Sequence, residues 1–319
     1  MIKRMLLGLA CLLTAGTTHD LAAAETYPSR PVSIIMAGAP GGSFDVMLRY
    51  VAQKLTAESP EPFLVDNVPG TGGLIATSRG ARAKPDGSVL TGGYFLTLAG
   101  NKYLHKLDYD PSTAFQPIVL LGSLNYVLVV KADSPYKTLD DLIKAARASP
   151  GKISFSTSGL GTGAHVGGEL IQSMAKVQML QVPYPAAAQS LLAIMNGSVS
   201  WGLEGMPTAI PQVNNGTLRA LAVSSRKRFP SLPDVPTVEE LGFPGFEVSG
   251  WLGIVAPAGT PKEVTEYLNP AVNKILKMPE TQEYYNKLGA VTLGGTPEDF
   301  TTMIKAEEKR YGALNLTPQ

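Results

Sequence analysis

The chain has 319 residues, 27 Lys and Arg against 26 Asp and Glu, and a single cysteine. A chain of this length can bury a full hydrophobic core without disulfide bonds. It has no run of Lys or Arg that would form a basic face, which excludes nucleic acid and anionic membrane surfaces as expected partners.

Residues 1–24 have the layout of a secretory signal peptide. A basic start at Lys3 and Arg4 precedes an apolar stretch, and a run of alanines ends at Ala24. This layout predicts cleavage before Glu25 and a location in the periplasm. The apolar stretch is too short to span a bilayer as a stable helix, so we expect no stable membrane insertion.

The predicted mature chain has no cysteine and no formal net charge. Removal of residues 1–24 takes away Cys11 and leaves 25 basic and 25 acidic residues. Gly8 stands where a lipoprotein signal carries a leucine-like residue, which argues against lipidation of Cys11. We expect a neutral protein that enters an oxidising compartment without thiol chemistry.

Short β-rich runs alternate with helical patterns along the mature chain, which predicts α/β layers around mostly parallel sheets. "VSIIMA" reads as a buried strand, and after the turn "GAPGG" apolar residues keep helical spacing. "FLVDN" and "SVLTGG" are the next strands, with the helix "LIATSRGARA" between them. A second block begins near Gly122 and runs through "KISFST", a helix over 162–176, "MLQVPY", "SVSWGLE" and "LRALAVSS".

Two strand-like passages, near 117–130 and 246–255, read as crossings between two lobes, which predicts a ligand cleft between the lobes. Helices follow toward the end of the chain. In "TPKEV" we expect Thr260 and Glu263 to form a capping box, with Pro261 at the first helical position. "TPEDF" starts a last helix in the same way.

Three Gly-rich turns stand out: "GAPGGSFD" (38–45), "VPGTGG" (68–73) and "STSGLGTGAH" (156–165). Each follows a strand-like run and precedes a helix-like one. A helix start carries partial positive charge and unpaired N–H donors, and a Gly-rich turn forms an anion-binding nest. The alternative is that each is only a tight connection, because Gly is the usual turn residue.

The sequence contains no complete enzyme or cofactor motif. "GLGTGA" loosely matches a dinucleotide fingerprint, but no Asp or Glu stands between Glu169 and Glu204 to bind a ribose. There is no P-loop, and the surroundings of Ser158 lack the G-x-S-x-G elbow. His105 and His165 are too isolated for a zinc site. We therefore expect no metal, no cofactor and no catalytic residue, with His165 either bonding locally or donating to an anion.

The motifs "PGGSFD", "VDNVPGTGG", "KPDG", "LDYDP", "STSGLGTGAH", "VPYPAAAQSLL", "GTLRALAVSS" and "LPDVPTVEELGFPGFEVSGW" follow one another along the chain. In this order they resemble the Bug-type (TctC-like) extracytoplasmic solute-binding receptors of tripartite tricarboxylate transporters. The resemblance implies a type II periplasmic-binding-protein fold, with two α/β lobes joined by crossing strands and the ligand cleft between them. Its lobes would be 25–122 plus 249–319, and 123–248.

The resemblance also implies a function. We expect a monomeric receptor, not an enzyme, that binds a small aliphatic or aromatic carboxylate and delivers it to the membrane permease subunits of a tripartite transporter. A receptor that presents its liganded form to a signalling sensor is the alternative, and an exported hydrolase is a third class. The family's arrangement carries over to named positions. The expected ligand-binding residues are Gly41, Gly42, Ser43, Phe44, Asp45, Ser156, Thr157, Gly161, Thr162, His165, Ala187 and Glu204.

Departures from the family pattern bear on specificity. Ser43-Phe44 stands where Gly-Thr is common, so Phe44 either stacks on an aromatic acid or packs into its lobe. Glu204 replaces a usual Asp and would repel a second carboxylate or accept from an ammonium or hydroxyl group; a protonated or rim position is the alternative. Asp45 has the alternative role of capping its own helix. Gly250 replaces a common hydroxyl residue.

Overall fold

The computed structural model describes residues 26–313 of the chain. The predicted signal peptide, its cleavage site and Cys11 lie outside the described residues. The strands are β1 (Val32–Met36), β2 (Phe63–Asn67), β3 (Val89–Tyr94), β4 (Phe115–Lys131), β5 (Ser154–Thr157), β6 (Leu180–Pro183), β7 (Trp201–Gly205), β8 (Leu218–Val223), β9 (Ser249–Pro257) and β10 (Ala290–Thr292).

The helices are α1 (Ser43–Glu58), α2 (Leu74–Ala81), α3 (Asn101–Leu104), α4 (Pro111–Ala114), α5 (Leu139–Ala148), α6 (Gly163–Ala175), α7 (Ala187–Met195), α8 (Met206–Asn214), α9 (Lys262–Lys277), α10 (Pro279–Lys287) and α11 (Pro297–Ala313). A 3₁₀ turn, Thr71–Gly73, precedes α2, and a π-helical turn, Leu96–Gly100, precedes α3. Across residues 26–313, no helix has the length and apolar character needed to cross a membrane.

The first sheet is built around β1, which pairs in parallel with β2 and β3. Strand β9 lies antiparallel to β3 and to β4, and β10 lies antiparallel to β4. Four of the five β1 residues are buried. Such a continuous apolar run is typical of a parallel strand covered by helices on both faces.

The second sheet shares β4 with the first. Its end of β4 pairs antiparallel with β7 and β8, while β5 pairs in parallel with β7 and β6. The pairing of β4 with β9 ends at Asn125, opposite Ser249, and the pairing with β7 begins at Tyr126, opposite Gly205. One 17-residue strand therefore belongs to both sheets and fixes how the two halves of the molecule join.

The order of strands and helices determines where a ligand site can form. Helices α1, α6 and α8 follow the parallel or sheet-central strands β1, β5 and β7 after short loops. Each of these helices therefore begins near the carboxyl end of a strand, the edge at which open α/β sheets bind ligands.

Three features differ from the sequence prediction. The sheets are not mostly parallel, because five of the nine pairings between the named strands are antiparallel. The capping box of Thr260 and Glu263 is wrong: α9 begins at Lys262, and the buried Thr260 hydroxyl donates to the carbonyl of Pro257 at 2.8 Å. Helix α8 was not predicted. Pro211 lies inside it, and proline disfavours the interior of a helix, so no helical pattern was evident there in the sequence.

Candidate functional site

A cavity of about 160 Å³ lies where the two sheets meet. Its walls come from the three Gly-rich turns, the end of β3, the middle of β4, and the starts of α7 and α8. The lining residues are Met36, Ala37, Gly38, Ala39, Gly42, Ser43, Phe44, Asp45, Pro69, Gly70, Gly72, Gly73, Tyr94, Phe95, Leu124, Tyr126, Ser158, Thr162, Gly163, Ala164, Pro185, Ala186, Ala187, Ala188, Leu203, Glu204 and Gly205.

Five helices begin at this cavity. The N-cap residues of α1, α2, α6, α7 and α8, which are Gly42, Gly73, Thr162, Ala186 and Gly205, all line it. Four of them make no side-chain capping bond, and only Thr162 accepts from a backbone N–H of its own helix. The first-turn N–H groups of these helices have no backbone partners inside the helix. Pro207 of α8 has no N–H and the His165 N–H of α6 donates to Thr162, but the other helix starts bring backbone donors and partial positive charge to the cavity wall.

The positive character of the cavity comes from the backbone alone. None of the lining residues is Lys, Arg or His, and the only carboxyl groups among them belong to Asp45 and Glu204. Between residues 26 and 313, no group of His, Cys, Asp and Glu side chains is arranged to hold a metal ion. The arrangement suits a small anion bound by N–H donors.

Four of the five predicted residues in the first Gly-rich turn line the cavity, and Gly41 does not. The Gly41 N–H donates to Asp45 Oδ2 at 2.8 Å. Asp45 Oδ1 accepts from Asn67 Nδ2 at 2.8 Å and from Arg49 Nε at 3.0 Å. Both Asp45 oxygens are thus engaged by the protein, so this carboxylate holds the turn in shape.

In the second turn the structure brings Thr162 to the cavity, whereas Ser156 and Thr157 lie behind it. Both of these side chains are fully buried in β5. The Thr157 hydroxyl accepts from Gln181 Nε2 at 3.1 Å and from the Gly159 N–H at 3.4 Å. The Thr157 hydroxyl therefore connects β6, through Gln181, to the loop that follows β5, through Gly159.

Gly161 and His165 also lie outside the cavity lining. The Gly161 N–H donates to His165 Nδ1 at 3.1 Å. Burial lowers the pKa of His165, opposed by the nearby Glu169, so the ring is neutral at pH 7 and able to accept this bond. The local bonding role is the one observed for His165.

The opposite wall contains the last two predicted residues, Ala187 and Glu204. Glu204 is 3% exposed, and the Ser190 hydroxyl donates to its Oε1 at 2.5 Å. Burial raises the pKa of Glu204 to about 8, although the bond from Ser190 acts in the opposite direction. At neutral pH the side chain is therefore a neutral acid that carries a proton it can donate.

One side of the cavity is an aromatic wall formed by Phe44, Tyr94, Phe95 and Tyr126. The Phe44 ring stacks on Tyr94 with 5.2 Å between ring centroids and an angle of 25° between their planes. Burial raises the pKa of Tyr94 and of Tyr126, so both phenols keep their protons and can act as donors. Phe44 both packs into its own half of the molecule and faces the cavity.

Gly250 makes room for this wall. A Cβ atom at position 250 would lie 2.9 Å from Phe95 Cε1, 3.0 Å from Phe44 Cζ and 3.1 Å from the Tyr126 hydroxyl. Two of the departures noted in the sequence, Phe44 and Gly250, are thus neighbours in space. The phenylalanine ring occupies volume that a side chain at position 250 would need.

Sequence reasoning missed several lining residues. The third Gly-rich turn contributes Gly70, Gly72 and Gly73 to the cavity lining. Their position between a predicted strand and a predicted helix could have marked them as site residues. Tyr94 and Tyr126 gave no such signal, since a tyrosine in a strand reads as a core residue.

The chain is similar to known proteins over most of its length. The profile of the tripartite tricarboxylate transporter family receptors matches residues 47–316. Protein BugT of Bordetella pertussis (strain Tohama I) is 32% identical over 305 residues, which cover 95% of this chain and 93% of BugT.

Two solved structures from Rhodopseudomonas palustris have the same fold. Rpa4515 with adipate is 32% identical, with a TM-score of 0.87 over 90% of this chain and 96% of that one. MatC (Rpa3494) with bound malate is 28% identical, with a TM-score of 0.84 over 91% of this chain and 100% of that one. These similarities confirm the predicted α/β class, the periplasmic-binding-protein fold and the resemblance to Bug-type receptors.

We expect Phe44 and Gly250 to be energetically coupled. Gly250→Ser should destabilise the wild-type protein by about 1–3 kcal/mol, because the new side chain overpacks the aromatic wall. In a Phe44→Thr background the same substitution should cost less, with a coupling energy above about 0.5 kcal/mol. Urea unfolding of the four proteins measures this difference, and additive free energies would show that the two positions are independent.

We expect Glu204→Gln to remove a pH dependence of stability. The pKa of Glu204 is about 8 in the folded protein against 4.5 for the ordinary side chain. Between these values the unfolded chain has lost a proton that the folded protein keeps, so wild-type stability falls as the pH rises from 4.5 to 8. At about 1.4 kcal/mol per pKa unit the loss amounts to a few kcal/mol.

Denaturant unfolding of both proteins at about pH 5 and about pH 8 measures this loss. The free energy of unfolding of Glu204→Gln should change less between the two pH values than that of the wild type. Equal changes would mean that Glu204 is ionised in the folded protein at neutral pH.

Proposed function

We propose a ligand and a role for this protein from one premise: the chain belongs to the tripartite tricarboxylate transporter receptor family. The family consists of solute-binding receptors, not enzymes. We propose that this member is a periplasmic, monomeric receptor that binds a small carboxylated solute and delivers it to the permease subunits of a tripartite transporter.

The convergence of five helix starts on one cavity is the observation that carries the proposal. A carboxylate there can accept from several backbone N–H groups, each such bond contributing roughly 1.5–3 kcal/mol. A few of these bonds offset the cost of immobilising a small solute and reach the roughly −8 kcal/mol of micromolar binding.

The size of the cavity limits the ligand. At about 160 Å³ it is close to the roughly 150 Å³ of an engineered cavity that binds benzene. A single ring or a short chain bearing one or two carboxylates fits this volume. Adipate and malate, the ligands in the two R. palustris structures, are acids of this class.

The cavity has distinct surfaces for the two ends of such a ligand. One carboxylate would meet the helix starts at Gly42 and Thr162. The remainder would lie between the aromatic wall and Glu204. At neutral pH Glu204 is a neutral acid, so its O–H can donate to a carbonyl, hydroxyl or second carboxylate on the ligand.

We further propose that the lobes are residues 25–122 plus 249–319, and 123–248, and that they close over the ligand. The first and third Gly-rich turns belong to one lobe, and the second belongs to the other. The two halves already touch at Gly161, which accepts from Tyr311, so a ligand that bonds to both would shift a pre-existing equilibrium further toward the closed form, because it gains all its bonds only there.

A thermal-shift panel of mono-, di- and tricarboxylates, amino acids and uncharged amides of matched size tests the proposed ligand class. We expect the unfolding midpoint to rise with carboxylates of up to one ring or about six carbons, and no rise with the matched amides. Stabilisation by the amides to the same extent would contradict binding of the anion by the helix starts.

The affinity for the best acid of that panel should fall as the pH rises through about 8, the pKa of Glu204. Ionised Glu204 no longer donates and repels the carboxylate ligand. Burial lowers the pKa of His165 and raises the pKa of Tyr94 and of Tyr126, so none of these three groups changes its charge as the pH rises through about 8. Isothermal titration calorimetry between about pH 6 and about pH 9 should show a loss of about ten-fold, the equivalent of 1.4 kcal/mol. Glu204→Gln should bind with little dependence on pH; a wild-type affinity that is also constant would place Glu204 away from the ligand.

A further inference from the structure

The last helix of the described chain makes a direct bond to the second Gly-rich turn. The hydroxyl of Tyr311, on α11, donates to the carbonyl of Gly161 at 2.7 Å. Tyr311 is 1% exposed, so the bond is shielded from water. It links a helix that packs against the first sheet to the loop that leads from β5 of the second sheet into α6.

The surroundings of Gly161 show that the turn is fitted against the other half of the molecule. A Cβ atom at Gly161 would lie 2.3 Å from Leu104 Cδ1 and 2.7 Å from Leu96 Cδ1. Gly161 has a φ of +74°, a conformation that favours glycine. A residue with a side chain at this position would push the turn away from the segment 96–104.

The two hydrogen bonds of Gly161 come from opposite halves. Its N–H donates to His165 Nδ1 at 3.1 Å, within the second half, and its carbonyl accepts from Tyr311, in the first. A trans peptide unit is planar, with its C=O and N–H pointing in opposite directions. The bond from Tyr311 to the Gly161 carbonyl therefore also fixes the direction of the Thr162 N–H, and Thr162 is the N-cap that lines the cavity.

A neighbouring residue on α11, Glu307, ties the Tyr311 segment of the helix to the first sheet. Glu307, one turn earlier on α11, accepts from the Trp251 indole N–H of β9 at 3.3 Å and pairs with Arg310 at 2.9 Å. Burial raises the pKa of Tyr311, and the negative charge of Glu307 acts in the same direction, so the phenol stays protonated and able to donate.

We propose that Tyr311 is a positioning residue for the ligand site: it holds the Gly161–Thr162 peptide of the second turn from across the cleft. The proposal rests on the proposed carboxylate-binding function, to which it adds a residue outside the cavity lining. The turn reaches its binding geometry when the two halves are together, because one of the two bonds that fix it comes from each half.

Tyr311→Phe tests this role, because it removes the hydroxyl and keeps the ring. Tyr285→Phe is the matched control. Tyr285 is also fully buried, and its hydroxyl donates to a backbone carbonyl, that of Met47, at 3.2 Å; neither residue lines the cavity. Both variants lose one buried bond to a carbonyl, so a merely structural effect should be similar in the two.

The first readout is hydrogen exchange of the full chain, without ligand, followed in peptides that cover residues 158–165. We expect Tyr311→Phe to exchange about ten-fold faster in this segment, since the Gly161 carbonyl loses its buried partner, while Tyr285→Phe exchanges there like the wild type. Wild-type exchange in Tyr311→Phe, or an equal increase in the control, would overturn the proposal.

The second readout is affinity, with adipate and malate as probes in titration calorimetry. We expect about ten-fold weaker binding by Tyr311→Phe and wild-type binding by Tyr285→Phe. Unchanged affinity in Tyr311→Phe would also overturn the proposal. If the wild type binds neither probe nor any acid of the thermal-shift panel, the proposed function fails, and the exchange result still decides whether Tyr311 positions the turn.

Discussion

A helix start leaves several backbone N–H groups without partners inside the helix, and in this protein five such starts meet at one cavity. The topology makes this possible, because helices that follow parallel strands begin at the same edge of a sheet. The constraint then extends to the residues at those positions. A side chain that capped its own helix would consume the donors, and four of the five N-caps are Gly or Ala.

The cavity lining contains no Lys, Arg or His, because the backbone donors of the helix starts supply its positive charge. Backbone donors hold a carboxylate without the strong attraction of a buried cation, which suits a receptor that must also release its ligand. The two carboxyl groups of the cavity lining, those of Asp45 and Glu204, differ in how their charge is compensated. Asp45 is fully engaged with Gly41, Asn67 and Arg49, whereas Glu204 is desolvated and keeps its proton. Neither presents a free negative charge to an acid ligand at neutral pH.

The turns of the site were accessible from sequence, while the contacts that shape it were not. Glycines clustered between a strand pattern and a helix pattern predicted all three turns, because consecutive residues determine the conformation of a short connection between a strand and a helix. Contacts between distant segments carry no such signal. Phe44 and Gly250 are separated by 206 positions, and Tyr311 and Gly161 by 150. Ser156, Thr157 and His165 belong to the right segment, but only the fold shows that they do not line the cavity.

The contacts between the two halves explain why small residues recur at this cleft. A Cβ atom at Gly205, at the start of α8, would lie 2.4 Å from Ser43 Oγ at the start of α1. Gly161 meets Leu96 and Leu104 in the same way. At both points a glycine of the second half faces a side chain of the first, so the helix starts approach each other closely. A methyl group at either position would hold the halves apart and separate the donors that the proposed carboxylate ligand would reach at the same time. Close approach of the backbone is therefore required between the halves, and the proposed anion would require it a second time, between the protein and the ligand.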